Sequence, residues 1–140
     1  MRRTFLLPTV LLGITTAAAA QQPTAGTKQA DVAGVWDAKS IVGPTDSVGV
    51  LTVLTATVND SGWTMTLTGR EPVAVRVIAV GGDSVVTEAG PYASVLRAGQ
   101  TVTRLLMVSH YSGDRMWGTF AAEYSSGDKV SGKVTATRRK

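Results

Sequence analysis

About eight short strand-like runs fill the sequence downstream of residue 30, and glycine-rich turns separate them. In residues 64–68 polar and apolar side chains alternate strictly, and Trp63 is in phase with the apolar set. A period of two gives a strand one buried face and one solvent-facing face. No segment shows the longer period of a helix. The sequence therefore predicts an all-β domain.

The connections between these runs are short, and they favour antiparallel pairing. Most contain glycine beside asparagine, aspartate or serine, which suit tight turns. Parallel strands would need long crossovers, whereas a meander of eight strands can close on itself and leave no exposed edge. The predicted fold is an eight-stranded antiparallel up-and-down meander closed into a small barrel. Its strands are predicted at residues 33–42, 48–58, 63–70, 73–81, 84–96, 101–112, 115–125 and 129–139.

Two prolines, Pro72 and Pro91, interrupt the stretches that carry the strand pattern. Proline has no backbone N–H and therefore cannot donate a hydrogen bond to a sheet. Each proline is predicted to mark a corner or an edge of the barrel.

The first twenty residues have the pattern of an export signal. Residues 2–3 are basic, residues 5–14 are apolar, and residues 18–20 are the small alanines that signal peptidase recognises. The apolar run is too short to span a bilayer core of about 30 Å, so no stable membrane anchor is predicted. Cleavage is predicted between Ala20 and Gln21, with delivery to the periplasm or to the outside of the cell. The leucine-rich apolar run favours the general secretory route over the twin-arginine route.

Composition bounds the remainder of the chain. Residues 21–31 are polar and contain proline and glycine, so they are predicted to form a disordered leader. Residues 32–140 are then the barrel domain, which is long enough to bury a core. The chain has no cysteine, which excludes disulfides and thiolate metal ligands. Charges downstream of residue 20 nearly balance and are scattered, so no nucleic-acid partner is predicted.

Gly34-Val35-Trp36 opens the first predicted strand, and Arg138 lies in the apolar phase of the last one. A Gly-x-Trp at this place in an eight-stranded meander resembles the calycin group, which includes lipocalins, fatty-acid-binding proteins and avidin-like proteins. The resemblance implies that Gly34, Trp36 and Arg138 close one end of the barrel, with the Arg138 cation stacked on the Trp36 ring. Arg139 would then face outward. In length the chain is closer to the avidin-like proteins, but no biotin site matches.

The interior of a small barrel is either filled by side chains or holds one small ligand. Large side chains on the apolar phases of their strands are the candidate walls of such a pocket, and small residues on the same phases favour an open interior. The predicted ligand-binding residues are Trp36, Trp63, Met65, Met116, Phe120 and Tyr124. A cavity of about 300 Å³ or more would favour a ligand carrier over a filled barrel.

Chemistry for catalysis is hard to assemble from this sequence. His110 is the single histidine, and no nucleophile motif or carboxylate pair accompanies it. Most aspartates fall in turns, where their side chains cap backbone amides. No catalytic residue, metal site or cofactor is therefore predicted, and the protein is not expected to be an enzyme.

Two functions are favoured by the sequence, ahead of an enzyme with His110, a glutamate and an arginine in one cleft. The first is an exported, non-enzymatic barrel that binds a small apolar or amphipathic ligand. The alternative is a cell-envelope interaction or structural module with a filled barrel. Trp117 is in phase with Arg115 and Glu123, so it is predicted to face outward and to contact a partner subunit in a homo-oligomer.

Overall fold

A computed structural model describes residues 27–42 and 48–140 of the chain. The predicted signal peptide and residues 21–26 of the predicted leader lie outside the described residues. The described elements are helix α1 (Gln29–Val32) and strands β1 (Gly34–Val42), β2 (Val48–Ala56), β3 (Thr64–Leu67), β4 (Val73–Gly81), β5 (Ser84–Ala89), β6 (Tyr92–Ala93), β7 (Thr101–Ser112), β8 (Arg115–Tyr124) and β9 (Lys129–Arg138).

Eight of these strands form a closed antiparallel barrel, as predicted. Strands β1 to β5 pair in chain order, β5 pairs with β7, and β7, β8 and β9 follow in order. The ring closes where β9 pairs with β1, with Trp36 opposite Arg138 and Val42 opposite Gly132. The two-residue strand β6 pairs with the first residues of β7, where Ala93 lies opposite Thr101, and it is not one of the eight strands that close the barrel.

Both prolines lie where strands are interrupted. Pro72 immediately precedes β4, and Pro91 separates β5 from β6. The single strand predicted over residues 84–96 is therefore wrong, because the chain leaves the ladder at Gly90 and Pro91 and turns away after Ala93. The physical reason is the one that predicted a corner there, since proline cannot donate to the ladder.

Helix α1 differs from the expectation of no helix and from a disordered leader reaching residue 31. It is four residues long, about one turn, which is too short to generate a detectable helical period. Val32 is fully buried, and Trp36 Nε1 donates a 2.8 Å hydrogen bond to the Val32 carbonyl. The helix therefore covers one end of the barrel. No helix in the described ranges is long and apolar enough to cross a membrane.

The barrel has one closed end and one open end. The closed end carries α1, Trp36, Trp63 and the C-terminal part of β9, and its apolar side chains are tightly packed. The open end carries the connection over residues 90–100 and the turn over residues 125–128, among others.

Candidate functional site

Arg138 covers the Trp36 ring at the closed end of the barrel. Its guanidinium carbon lies 4.7 Å from the centroid of the Trp36 ring. Arg138 Nη1 donates to the Ala33 carbonyl at 2.9 Å, and Nη2 donates to the carbonyls of Asp31 at 2.7 Å and Gly113 at 3.0 Å. One side chain thus joins the segment before β1, the turn between β7 and β8, and the end of β9.

Gly34 makes room for this arrangement. Its φ is 140°, in a region that side chains disfavour, and a Cβ built there would lie 3.3 Å from Cδ of Arg138. A residue with a side chain at position 34 would therefore strain the backbone and make a close steric contact with the methylene groups of Arg138. The glycine of the Gly-x-Trp motif is therefore needed for its positive φ and for the space that the Arg138 side chain occupies.

Arg139 faces outward, as predicted. Its Nη2 lies 2.6 Å from Oδ1 of Asp37, and its Nε lies 3.2 Å from Oδ2 of the same carboxylate. Hydrogen bonding to Arg139 lowers the pKa of Asp37, and the same bond raises the pKa of Arg139. Both groups are exposed, so this pair contributes far less to stability than the buried face of Arg138.

An apolar cavity of about 60 Å³ lies between the core and the open end. Four of the predicted ligand-binding residues line it: Met65, Met116, Phe120 and Tyr124. Further walls include Leu54, Leu105, Met107, Tyr92, Ser94 and Leu96. Small side chains at Ala38 and Ala122 contribute to the space, as the mixture of small and large inward residues suggested.

Two of the predicted ligand-binding residues, Trp36 and Trp63, do not line this cavity. Both are buried at the closed end, Trp36 beneath Arg138 and Trp63 against the loop after β2. Trp63 Nε1 donates to the carbonyls of Thr57 at 3.1 Å and Asn59 at 2.9 Å. Strand phase identifies the face on which a residue lies, but not how far along the barrel axis it sits.

The loop after β6 forms part of the cavity mouth, and the sequence did not predict this role. Val95 and Leu96 line the cavity and remain partly exposed. Arg70 holds this loop in place, because its Nη1 and Nη2 lie 3.2 Å and 3.4 Å from the carbonyls of Ala93 and Ser94. The prediction of one continuous strand over residues 84–96 left no place for this loop.

Polar groups converge at one side of the mouth. Arg97 lies over the ring of Tyr124 at 4.8 Å and pairs with Asp128 at 3.0 Å. Burial, followed by the influence of Tyr124, raises the pKa of Tyr92 to about 12. The Tyr92 phenol is therefore neutral at physiological pH, and it can act as a hydrogen-bond donor but not as a base.

The outer wall carries an aromatic pair far from the cavity. Trp117 is 47% exposed, and it stacks on His110 with ring centroids 6.0 Å apart. His110 Nδ1 lies 3.0 Å from the carbonyl of Asp83. The predicted outward orientation of Trp117 is confirmed, and His110 lies on the outer wall rather than among the cavity residues.

Apolar side chains also lie on the outward faces of β7, β5 and β4, beside His110, which is the cross-strand neighbour of Trp117. Ala79 pairs with Val86, Val86 pairs with Val108, and Leu106 lies on the same outward face two residues before Val108. We call Ala79, Val86, Leu106, Val108 and Trp117 the outer patch. Like neighbours across strands stabilise a sheet, but an apolar outward face of this kind also suits contact with a partner.

Comparison of the chain with protein-family models, with curated proteins and with solved structures finds no match to any of them. Within residues 27–42 and 48–140, no three His, Asp or Glu side chains lie close enough together to hold a metal ion. The geometry of the cavity and of the outer patch is therefore the basis for assigning a function.

Proposed function

We propose that this protein is an exported, non-enzymatic barrel that binds a small apolar or amphipathic molecule in the cavity at its open end. One observation carries the proposal: apolar side chains enclose a cavity at one end while the other end is sealed. A cleft with mostly apolar walls and a few convergent polar groups is the usual form of a ligand site, and barrel mouths are a frequent location.

A calycin-like relationship and export are parts of the same proposal. The stack of Arg138 on Trp36 at the start and end of an eight-stranded meander supports the relationship. The signal-like pattern of residues 1–20 supports delivery to the periplasm or the cell exterior.

The volume of the cavity limits the size of the ligand that it can enclose. Its volume of about 60 Å³ does not reach the roughly 300 Å³ that would favour a carrier of a drug-sized ligand over a filled barrel, since sites that enclose such ligands measure roughly 300–1,000 Å³. It exceeds the roughly 10–15 Å³ that one water requires. The bound species is therefore a molecule of few heavy atoms, or the apolar end of a longer amphiphile that projects through the mouth.

Filling the cavity should weaken the binding of an apolar probe. We expect Ala122→Leu to weaken the binding of cyclohexane at least about tenfold, because the added carbons occupy the space that the probe needs. Ala121 is the next residue on β8 and is exposed on the outside, so Ala121→Leu is the matched control. Binding is measured by NMR titration, after circular dichroism has shown that both variants are folded.

Ala122→Val adds less volume than leucine and should give an intermediate affinity. Equal affinity in wild type, Ala122→Leu and Ala121→Leu would show that the probe does not occupy the cavity. The ligand-binding proposal would then be withdrawn for this part of the molecule.

The outer patch supports a second candidate function, an interaction module in the cell envelope that associates with a second copy of itself. Trp117 is a half-exposed tryptophan at the edge of the outer patch, and tryptophan is enriched among interface hot spots. The salt bridges of Glu88 with Arg76 and Arg104, each 3.0 Å long, border the patch on one side. Charged residues at the edge of an apolar surface are a feature of the polar rim of protein interfaces.

Replacing Trp117 with serine should disrupt this self-association. We expect Trp117→Ser to raise the dimer dissociation constant about 30-fold, which corresponds to about 2 kcal/mol. Leu51 is more exposed than Trp117, at 63%, but it lies on β2 outside the patch, so Leu51→Ser is the matched control. Analytical ultracentrifugation over a concentration series provides the measurement. A monomer at every concentration, or equal effects of the two variants, would contradict the self-association proposal.

A further inference from the structure

The hydroxyl of Ser94 has its two acceptor positions filled by its own loop. Ser94 Oγ accepts hydrogen bonds from the backbone N–H of Leu96 at 3.2 Å and from that of Arg97 at 3.0 Å. A serine hydroxyl has two lone pairs and one proton. The Ser94 proton is therefore the only part of the group that remains for a further hydrogen bond.

The third neighbour of Ser94 Oγ is the hydroxyl of Tyr124, 3.0 Å away. Because both lone pairs of Ser94 are occupied, Ser94 donates this bond and Tyr124 accepts it. Tyr124 consequently keeps its own phenolic proton for another partner. Among the described residues, Ser94 is the one side-chain group that bonds the Tyr124 hydroxyl, so these ranges supply no acceptor for that proton.

Tyr124 is held rigidly beside the cavity. Its side chain is buried and lines the cavity wall, and Arg97 covers one face of its ring at 4.8 Å. Its backbone N–H donates to the Asp128 carbonyl at 2.9 Å, which fixes the end of β8. A buried donor without an acceptor is unfavourable, and an oxygen on a bound molecule would satisfy it.

We infer that the Tyr124 hydroxyl is a directed hydrogen-bond donor to the ligand, and that the ligand class is small apolar molecules with an acceptor oxygen, such as a ketone, ether or ester. The inference rests on the proposed ligand-binding function and makes it more specific. The surrounding walls are mainly apolar, with the Tyr92 phenol as a second polar group, so a placed donor discriminates strongly between a ligand with an oxygen and a hydrocarbon of the same shape.

Cyclohexanone and cyclohexane are a matched pair of probes, because they share a ring and differ in one carbonyl oxygen. We expect Tyr124→Phe to weaken cyclohexanone binding about tenfold and to leave cyclohexane binding unchanged. Tyr111→Phe is the control, because Tyr111 packs edge-on against Trp36 at the closed end, with ring centroids 5.1 Å apart. That control should bind both probes as the wild type does.

Infrared spectroscopy gives an independent readout. The carbonyl stretch of bound cyclohexanone should lie at lower frequency in the wild type than in Tyr124→Phe, because a donated hydrogen bond weakens the carbonyl bond. The inference about Tyr124 would be overturned by equal carbonyl frequencies in the two proteins, or by a Tyr124→Phe variant that loses affinity for both probes equally. In either case, binding of cyclohexane by the wild type would still support the proposed cavity function. If the wild type binds neither probe, both proposals fail.

Discussion

Arg138→Ala is expected to lower the free energy of unfolding by about 3 kcal/mol or more. The substitution removes a cation stacked on Trp36 and leaves three backbone carbonyls without their donor. A hydrogen bond to a charged group contributes about 1.5–3 kcal/mol, and a cation–π contact adds roughly 0.5–2 kcal/mol. These losses are not additive, so the expected value lies below their sum. Urea denaturation followed by circular dichroism measures the change.

Two further variants separate the role of this side chain from a general effect of charge. Arg139→Ala should have little effect on stability, because the Arg139 side chain is exposed and its hydrogen bonds within the described residues go to the exposed Asp37 carboxylate alone. Arg138→Lys should be intermediate, since lysine keeps the charge but lacks the planar fork that reaches several carbonyls at once. Equal losses in Arg138→Ala and Arg139→Ala would contradict the assignment of Arg138 as the residue that seals the closed end.

Gly132→Ala is expected to destabilise the barrel by about 3 kcal/mol. A Cβ at this position would overlap the carbonyl oxygen of Ile41 and would lie 2.9 Å from a ring carbon of Phe120. Neither neighbour can move easily, because Ile41 is part of the β1 ladder and Phe120 is buried in the cavity wall. Overpacking of this kind costs roughly 1–3 kcal/mol and occasionally more. Thermal and urea unfolding of the variant test this value.

Gly49→Ala provides a matched control within another strand. A Cβ there would meet Cε of Lys39 at 2.7 Å, but that atom is near the end of a flexible, exposed side chain. The lysine can rotate away, so Gly49→Ala should change the free energy of unfolding by less than about 0.5 kcal/mol. If Gly132→Ala and Gly49→Ala had the same small effect on the free energy of unfolding, the close approach of β9 to β1 would not require glycine at position 132.

Alternation and turn residues were sufficient to predict the barrel from the sequence. The predicted and observed strands agree to within a few residues, apart from the stretch that contains Pro91. There the apolar pattern continues beyond the point at which the ladder ends, and residues 94–96 become a loop. The single turn of α1 was missed because a helix of four residues has no period to detect.

The cavity was predicted only in part. Met65, Met116, Phe120 and Tyr124 line the cavity, in agreement with their strand phase, which identifies the inward face. Trp36 and Trp63 share that face but lie at the closed end, a position that depends on the tilt and stagger of the strands. The contributions of Ser94 and its neighbours come from a loop, where no periodic pattern indicates the direction of side chains.

The most direct test of the central claim is NMR of methionine methyl groups. Downstream of Met1 the chain contains Met65, Met107 and Met116, and all three line the cavity. Protein labelled with ¹³C at these methyl groups therefore reports on the cavity alone. Titration with cyclohexanone should shift all three signals saturably, with one common dissociation constant. Unchanged methyl signals at millimolar cyclohexanone, in protein that is folded by circular dichroism, would contradict the proposal that this barrel binds a small molecule in its interior.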